Sequence, residues 1–252
     1  MPTTKEWFGE WFNSPYYHIL YKHRDQDEAR FFINNLVAYF GFSPAHSLQD
    51  LACGKGRHSI YLNQLGFNVT GLDLSEQNIR YARRYANERL HFDVHDMRQV
   101  YREGAFDFIL NLFTSFGYFA ADLDNQRAVC AAARGLTPDG KLLLDFLNPY
   151  HVLNTLVPEE VRQVEGIEFH ITRHLSGDGF IVKDIRFSDG GEQHHFQERV
   201  KAITYQNFLQ YFKVAGLKLV ETFGNYALDP YVEDQSDRMI FVLQNQPDQS
   251  RC

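Results

Sequence analysis

The spacing of apolar and polar positions changes period several times along the chain, and each change marks an element. Phe32, Leu36, Tyr39 and Phe40 recur at helical spacing between residues 26 and 41, with Gly41 at the end. That pattern predicts an amphipathic helix closed by glycine. Phe42-Ser43-Pro44 breaks the chain before a short apolar strand that begins at Ser47. Arg57 to Leu65 reads as a helix terminated by Gly66, and Asn68 to Leu72 as a second strand. Ser75 is placed to cap a helix over 76–87 whose Ile79, Ala82 and Ala86 face a sheet. A third strand precedes Asp93, and Phe106 to Leu110 suits a strand buried on both faces. Residues 122–136 form a helix with Val129, Ala132, Ala133 and Leu136 inward, and Thr137-Pro138-Asp139-Gly140 is a turn. Lys141 to Phe146 is then a fifth strand, ended by Asn148-Pro149. Strands alternating with helices predict a doubly wound, mostly parallel α/β sheet covered on both faces.

From about residue 160 the period drops to two. Ile167, Phe169 and Ile171 alternate with polar residues, and Ser176-Gly177-Asp178-Gly179 turns the chain. Phe180 to Phe187, the turn Ser188-Asp189-Gly190-Gly191 and Phe196 to Ala202 complete a small antiparallel meander. Helical period resumes after Thr204, with Tyr205, Phe208, Leu209 and Phe212 inward; Ala215-Gly216-Leu217 ends it. Lys218 to Phe223 and Arg238 to Leu243 are the last strands, and the loop between them holds Tyr226, Tyr231 and several acids. The tail from Gln244 is polar and expected to fray. At the other end, Trp7, Phe8, Trp11, Phe12, Tyr16, Tyr17 and Tyr21 crowd a short segment. Its Trp and Phe residues suit packing against a core, whereas a buried tyrosine hydroxyl needs a partner. The expected organisation is an arm and helix over 1–45, a core over 46–159 and 203–245, and a β insert over 160–202.

Composition narrows the partners. Among 252 residues, 25 Lys and Arg face 32 Asp and Glu, for a net charge of −7. This balance argues against a nucleic-acid partner, which calls for a basic face. Cys53, Cys130 and Cys252 form neither a C-x-x-C nor an even framework, so a reducing compartment is expected. Met1 to Trp7 lacks the basic and apolar regions of a leader, and no apolar run nears the roughly 18 residues of a membrane span. A cytoplasmic protein, monomer or homodimer, is the expectation.

The chemistry concentrates in Asp50-Leu51-Ala52-Cys53-Gly54-Lys55-Gly56-Arg57. A strand ends there in small residues and opens into a helix, so a ligand can approach bare backbone at a helix N-terminus. A dinucleotide fingerprint would need a third glycine where Ser59 stands, and no Gly-Lys-Ser/Thr forms a phosphate loop. Instead a second acid, Asp73, ends the next strand, and Asp96-Met97 follows the third; the acids are 23 and 23 residues apart. These three elements resemble the class I S-adenosylmethionine-dependent methyltransferases, with Ala52 at the first small position of their Gly-rich motif. The resemblance implies a seven-stranded Rossmann-like sheet with S-adenosylmethionine as cofactor and S-adenosylhomocysteine as product. It implies cofactor contacts from Asp50, Ala52, Cys53, Gly54, Gly56 and Arg57, from Asp73 and Leu74, and from Asp96 and Met97. Asn111 and Leu112, at the end of the fourth strand, belong to the same set, and Tyr17 with Tyr21 resembles a lid over it. The insert resembles the lid sheet of amino-sugar and glycine-type N-methyltransferases. A small-molecule amine or hydroxyl acceptor would then lie among Tyr16, His18, Phe113, Ser115, Tyr118, Tyr226 and Tyr231. His18 and Tyr118 are the nearest bases for a hydroxyl, and no catalytic residue is singled out.

Other features have plainer readings. His170, His174, His194 and His195 suit solvated strand faces, without a carboxylate or Cys at a recognisable ligand spacing, and no metal is expected. Cys53 needs only to be small. Arg57 either meets the cofactor carboxylate or pairs with a carboxylate such as Asp73. Two rival classes stand beside a small-molecule enzyme: a methyltransferase of RNA or protein, and a cofactor-binding protein without turnover.

Overall fold

The computed structural model describes residues 10–22 and 26–246. Trp7, Phe8, Cys252 and the tail from 247 lie outside the described residues. The arm holds one short helix, α1 (Pro15–Leu20), started by the Ser14 side chain on the Tyr16 N–H. Helix α2 (Gln26–Phe40) leads into β1 (Ser47–Leu51), α3 (Arg57–Gln64) and β2 (Asn68–Asp73). Then come α4 (Glu76–Ala82), β3 (Leu90–Val94), β4 (Phe106–Asn111), α5 (Asp122–Gly135) and β5 (Leu136–Leu147). After α6 (Pro149–Thr155) the chain forms β6 (Glu159–Val164), β7 (Ile167–Leu175), β8 (Phe180–Asp189) and β9 (Glu192–Lys201). Helix α7 (Tyr205–Val214), β10 (Leu217–Phe223) and β11 (Arg238–Asn245) complete it.

The main sheet has seven strands in the order β10-β11-β5-β4-β1-β2-β3. Pairs β1–β2, β1–β4, β2–β3 and β4–β5 are parallel, while β11 runs antiparallel to both of its neighbours. From β1 the chain winds outward to β3, then returns to the opposite side of β1 for β4. The order therefore reverses beside β1, where the carboxyl ends of such sheets open a crevice. Alternating side chains of β5 divide the core: Leu142, Leu144 and Phe146 pack with Val129 and Phe208, whereas Leu143 packs with Phe32, Leu36 and Ile79. Both faces are covered, which accounts for the nearly continuous apolar runs in β4 and β5.

Several expected boundaries move. Helix α4 gives way after Ala82 to a single 3-10 turn over Arg83–Tyr85, and the chain is extended at Ala86; Arg83 Nε bonds the Phe92 carbonyl at 2.9 Å and its NH2 pairs with Asp93. Ala86 is consequently exposed rather than on the sheet. Tyr39 is likewise exposed, edge-on to Phe223, and α2 instead buries Ala29, Phe32, Ile33 and Leu36. The Thr137-to-Gly140 turn lies within β5: Phe106 pairs with Leu136 but Phe108 with Lys141, so the extra residues bulge out.

The second sheet is antiparallel, β6-β7-β8-β9. It has one more strand than the pattern predicts, because β6 is mostly polar and exposed and carries no period-two signature. Glu165 and Gly166, with φ of 49° and 83°, supply the two left-handed positions that a tight β6–β7 hairpin needs. One face of this sheet packs on the arm, where Trp11 and Leu20 join Phe169, Ile171, Ile185 and Phe187 in a separate apolar cluster. Among the described residues, no helix is long and apolar enough to cross a membrane.

Candidate cofactor and acceptor site

The arm and the loops after β1, β2, β3 and β4 surround a cavity of about 470 Å³, within the range of small-molecule sites. The loop after β1 is built by three left-handed residues, Ala52, Gly54 and Gly56, with φ of 63°, 57° and 82°. Gly54 borders the cavity, and a Cβ there would meet nothing within 4 Å, so this backbone is bare toward the opening. Gly56 serves a different purpose: its Cβ would fall 2.8 Å from the Phe92 ring, so close packing demands glycine.

The two acids of the loop have distinct structural tasks. Asp50 is buried and its Oδ2 accepts from the Ser59 N–H at 3.1 Å and the Ser59 hydroxyl at 2.6 Å, fixing the first turn of α3. Burial raises its pKa to about 6, against the lowering effect of those bonds. Asp73 clamps the turn from the next strand, its Oδ2 accepting the Gly54 N–H and its Oδ1 the Ser75 N–H, both at 2.8 Å. Burial raises its pKa, while these N–H groups and the Asn78 amide oppose the shift. The Asn78 Oδ1 atom is itself buried, beside the cavity, without a protein partner. Such an acceptor is costly unless something donates to it.

Cys53 lies in the same loop, but burial and the carboxylates of Asp50 and Asp73 push its thiol pKa well up, which removes any nucleophilic thiolate. Asp96 and Met97 also border the cavity. The Asp96 carboxylate is gripped by Arg98, whose NH2 lies 2.6 Å from Oδ2; although partial burial works the other way, these bonds hold the pKa low.

Of the residues singled out in the sequence, Tyr17, His18, Tyr21, Ala52, Cys53, Gly54, Arg57, Asp73, Leu74, Asp96, Met97, Phe113, Ser115 and Tyr118 line this cavity. Others do not. Asp50 and Gly56 support the loop from behind. Asn111 is buried, with Nδ2 on the carbonyls of Leu51 and Ser115 at 2.9 and 3.2 Å, and Leu112 is core. Tyr16 turns to the four-stranded sheet, its hydroxyl 2.9 Å from Asp189 and its ring on Phe187; among the described residues, that sheet contributes none to the cavity lining. Tyr226 packs behind Phe113 and on Phe32, while Tyr231 stacks on Tyr205 at 5.3 Å, so their loop does not roof the cavity. The roof comes from the arm. Tyr21 reaches Glu198 of β9 at 2.6 Å and also meets Lys183, Trp11 donates to Glu198 at 2.6 Å, and Asn13 meets Ser75.

The structure adds residues that the motifs did not mark, among them Phe12, Asn13, Lys55, His58 and Asn78. His58 is buried, stacked 4.9 Å from Phe113, with Nε2 3.1 Å from the Arg57 NH2. Burial and the Arg57 charge push its pKa down to about 3, so it is neutral and Nε2 accepts from Arg57. Arg57 thus turns toward His58 and the Phe113 ring, 4.8 Å away. Helical spacing places 58, 59 and 62 on the buried face of α3, the available signal for His58. Partial burial first and Lys55 second lower the pKa of His18 on the arm. Tyr118, by contrast, commits its hydroxyl to the Thr114 carbonyl at 2.6 Å.

Comparison with known proteins agrees with this arrangement. A family described as a methyltransferase domain matches residues 49–140, the stretch that includes the three acids. The chain is 28% identical over 216 residues to a glycine/sarcosine N-methyltransferase of Parasynechococcus marenigrum, covering 82% of this chain and 73% of that one. A dTDP-3-amino-3,6-dideoxy-alpha-D-glucopyranose N,N-dimethyltransferase of Streptomyces fradiae is 28% identical over 69% of this chain and 71% of its own. Among solved structures, an S-adenosylmethionine-dependent methyltransferase from Clostridium acetobutylicum superposes with a TM-score of 0.75 at 19% identity, covering 92% of this chain and 96% of that one. An amino pentose methyltransferase from Micromonospora echinaspora, solved with its cofactor, gives 0.67 at 21%, covering 92% and 96%. The structural likenesses are likenesses of fold.

Proposed function

We propose a small-molecule amine as methyl acceptor, proceeding from the chain's membership of the class I S-adenosylmethionine-dependent methyltransferases. The cofactor, S-adenosylmethionine, supplies a methyl group activated by its sulfonium. The residues around the cavity fit such a group. Gly54 leaves open space against the backbone, Asp73 has a carboxylate at the cavity edge for a diol, and the Asn78 oxygen lacks a donor. Ala52, Gly54, Asp73, Asn78, Asp96 and Met97 would hold it. The acceptor would enter between the arm and the 113–119 loop, facing Tyr17, His18 and Phe113.

The observation that carries this reading is the aromatic wall. An arm bonded to Glu198 of β9 and to Ser75 after β2 covers one side of the cavity with Phe12, Tyr17 and Tyr21. A concave pocket of this size walled by aromatic rings suits a small molecule, whereas a polynucleotide needs an open basic track. Ring faces beside a cation contribute roughly 0.5–2 kcal/mol, which favours an amine that becomes cationic on methylation. A neutral amine can attack the methyl group without a general base, so the reading asks for no catalytic proton acceptor. Relatives named for glycine, sarcosine and amino-sugar nitrogen support the same choice.

The test is a panel of paired acceptors, including glycine, sarcosine and 3-aminosugar nucleotides with the corresponding hydroxy compounds, scored by S-adenosylhomocysteine formation. The reading expects turnover of an amine and none of its hydroxy counterpart. Turnover confined to the hydroxy compounds would overturn it.

A further inference from the structure

The loop after β4, which reaches the cavity at Phe113 and again from Ser115, contains two consecutive left-handed residues that are not glycine: Phe113 and Thr114, with φ of 56° and 58°. Bulky and β-branched residues rarely adopt this conformation, and it persists only where surrounding structure overdetermines it. Here the constraint comes from a buried group on the far side of the loop from the cavity. Asp145, on β5, is fully buried; its Oδ2 accepts the Phe113 N–H at 2.6 Å and its carbonyl the Thr114 N–H at 3.1 Å. Arg238, at the start of β11, donates to Asp145 Oδ1 through Nε at 2.8 Å and NH2 at 2.6 Å. The same NH2 reaches the Thr114 hydroxyl at 2.9 Å. Tyr226 closes the group, its ring 5.2 Å from the guanidinium and 4.8 Å from the Phe113 ring.

Neither Asp145 nor Arg238 borders the cavity. Their bonds nevertheless converge on the backbone and side chain of the two strained residues. Phe113 is then set between the Tyr226 ring behind it and His58 and Arg57 at the cavity. A buried ion pair contributes little net stability once desolvation is counted, so its retention asks for another reason. The geometry points to Asp145 and Arg238 as positioning residues: they hold Phe113 and Thr114 in the left-handed conformation that forms the acceptor-side wall. The assignment of that wall to the acceptor rests on the function proposed above; the positioning itself does not.

The test is amide hydrogen exchange on the full chain, saturated with S-adenosylhomocysteine, which needs no acceptor. Arg238→Lys keeps the charge but loses the two-pronged donor. Exchange at the Phe113 and Thr114 amides should rise at least tenfold, while Leu144 and Ile240 in the β5–β11 ladder stay within twofold. Adding Thr114→Gly, which accepts positive φ without strain, should recover a substantial part of the lost protection. Should Arg238→Lys fail to fold, Tyr226→Phe removes only the hydroxyl beside Asp145 and should give the same local pattern at smaller amplitude. Equal acceleration along the whole ladder, no acceleration at 113 and 114, or no recovery with Thr114→Gly would each overturn the assignment. Absence of amine turnover in the acceptor panel would leave this result intact and count against the proposed function alone.

Discussion

Trp11 and Glu198 lie 187 residues apart in the chain and 2.6 Å apart in the fold, with the indole N–H donating to the carboxylate. The same carboxylate accepts the Tyr21 hydroxyl at 2.6 and 2.8 Å. One side chain of the four-stranded sheet thus fixes both ends of the arm that borders the cavity. A hydrogen bond to a charged group contributes about 1.5–3 kcal/mol. Glu198→Ala should therefore raise amide exchange across residues 10–22 by roughly ten- to a hundredfold. Exchange in β1 and β4 should be unchanged. An arm that exchanges at the wild-type rate in this variant would contradict the coupling.

Asp73 joins the β1 turn to the end of β2 through its bond to the Gly54 N–H. Asp73→Ala removes both that clamp and a charged acceptor at the cavity edge. Affinity for S-adenosylhomocysteine should fall by about 1.5–3 kcal/mol, roughly ten- to a hundredfold, in a calorimetric titration. Binding within threefold of wild type would remove Asp73 from the cofactor site.

Ala52 occupies a left-handed position, φ 63°, where glycine is at ease. The conformation costs an L-residue about 1–2 kcal/mol, and replacement by glycine forfeits about 0.5–1 kcal/mol of chain entropy. Ala52→Gly should thus be neutral to stabilising by about 1 kcal/mol in urea unfolding. Ala52→Val should destabilise, because a β-branched residue tolerates this region least.

Two buried groups of the loop respond to acid with opposite sign. The folded pKa of His58 is depressed to about 3, so between that value and the ordinary 6.5 the unfolded chain binds more protons. Its contribution is full above pH 6.5 and is lost as pH falls. The folded pKa of Asp50 is raised to about 6 from 3.8, so its contribution is present below 3.8 and is lost as pH rises through 6. Between about pH 4 and 6 the two oppose each other. His58→Gln removes the first alone, so the variant should gain stability relative to wild type as pH falls from 6.5 to 4, by up to roughly 1.4 kcal/mol per pH unit. A difference from wild type that is constant across this range would contradict the buried, neutral imidazole.

The parallel sheet and the loop after β1 were legible because they depend on local rules. Apolar runs ended by acids, glycine at tight turns and Ser75 as a helix cap all act within a few residues of their own sequence. What escaped depends on distant partners. The family resemblance sets the Tyr226-to-Tyr231 loop beyond the strand ends, where it could roof a pocket, but Phe32 and Tyr205 claim the two rings. Tyr16 differs from Tyr17 by one residue, yet a helical step of about 100° turns it to Phe187 on the four-stranded sheet. Strand β6 carries no apolar alternation, since it is an exposed edge that pairs only with β7. His58 and Asn78 belong to no motif; helical spacing marks His58 as inward, but its place beside the cavity, like that of Asn78, depends on the fold.

The function proposed for this pocket is transfer of a methyl group from S-adenosylmethionine to a small amine. The most direct measurement incubates the protein with methyl-labelled cofactor and, separately, a metabolite extract, total RNA and whole-cell protein, followed by counting label in each. Label is expected in the metabolite fraction, lost when Asp73 is replaced by alanine, and none above background in RNA or protein. Label in RNA or protein with none in the metabolite fraction would contradict the proposed function.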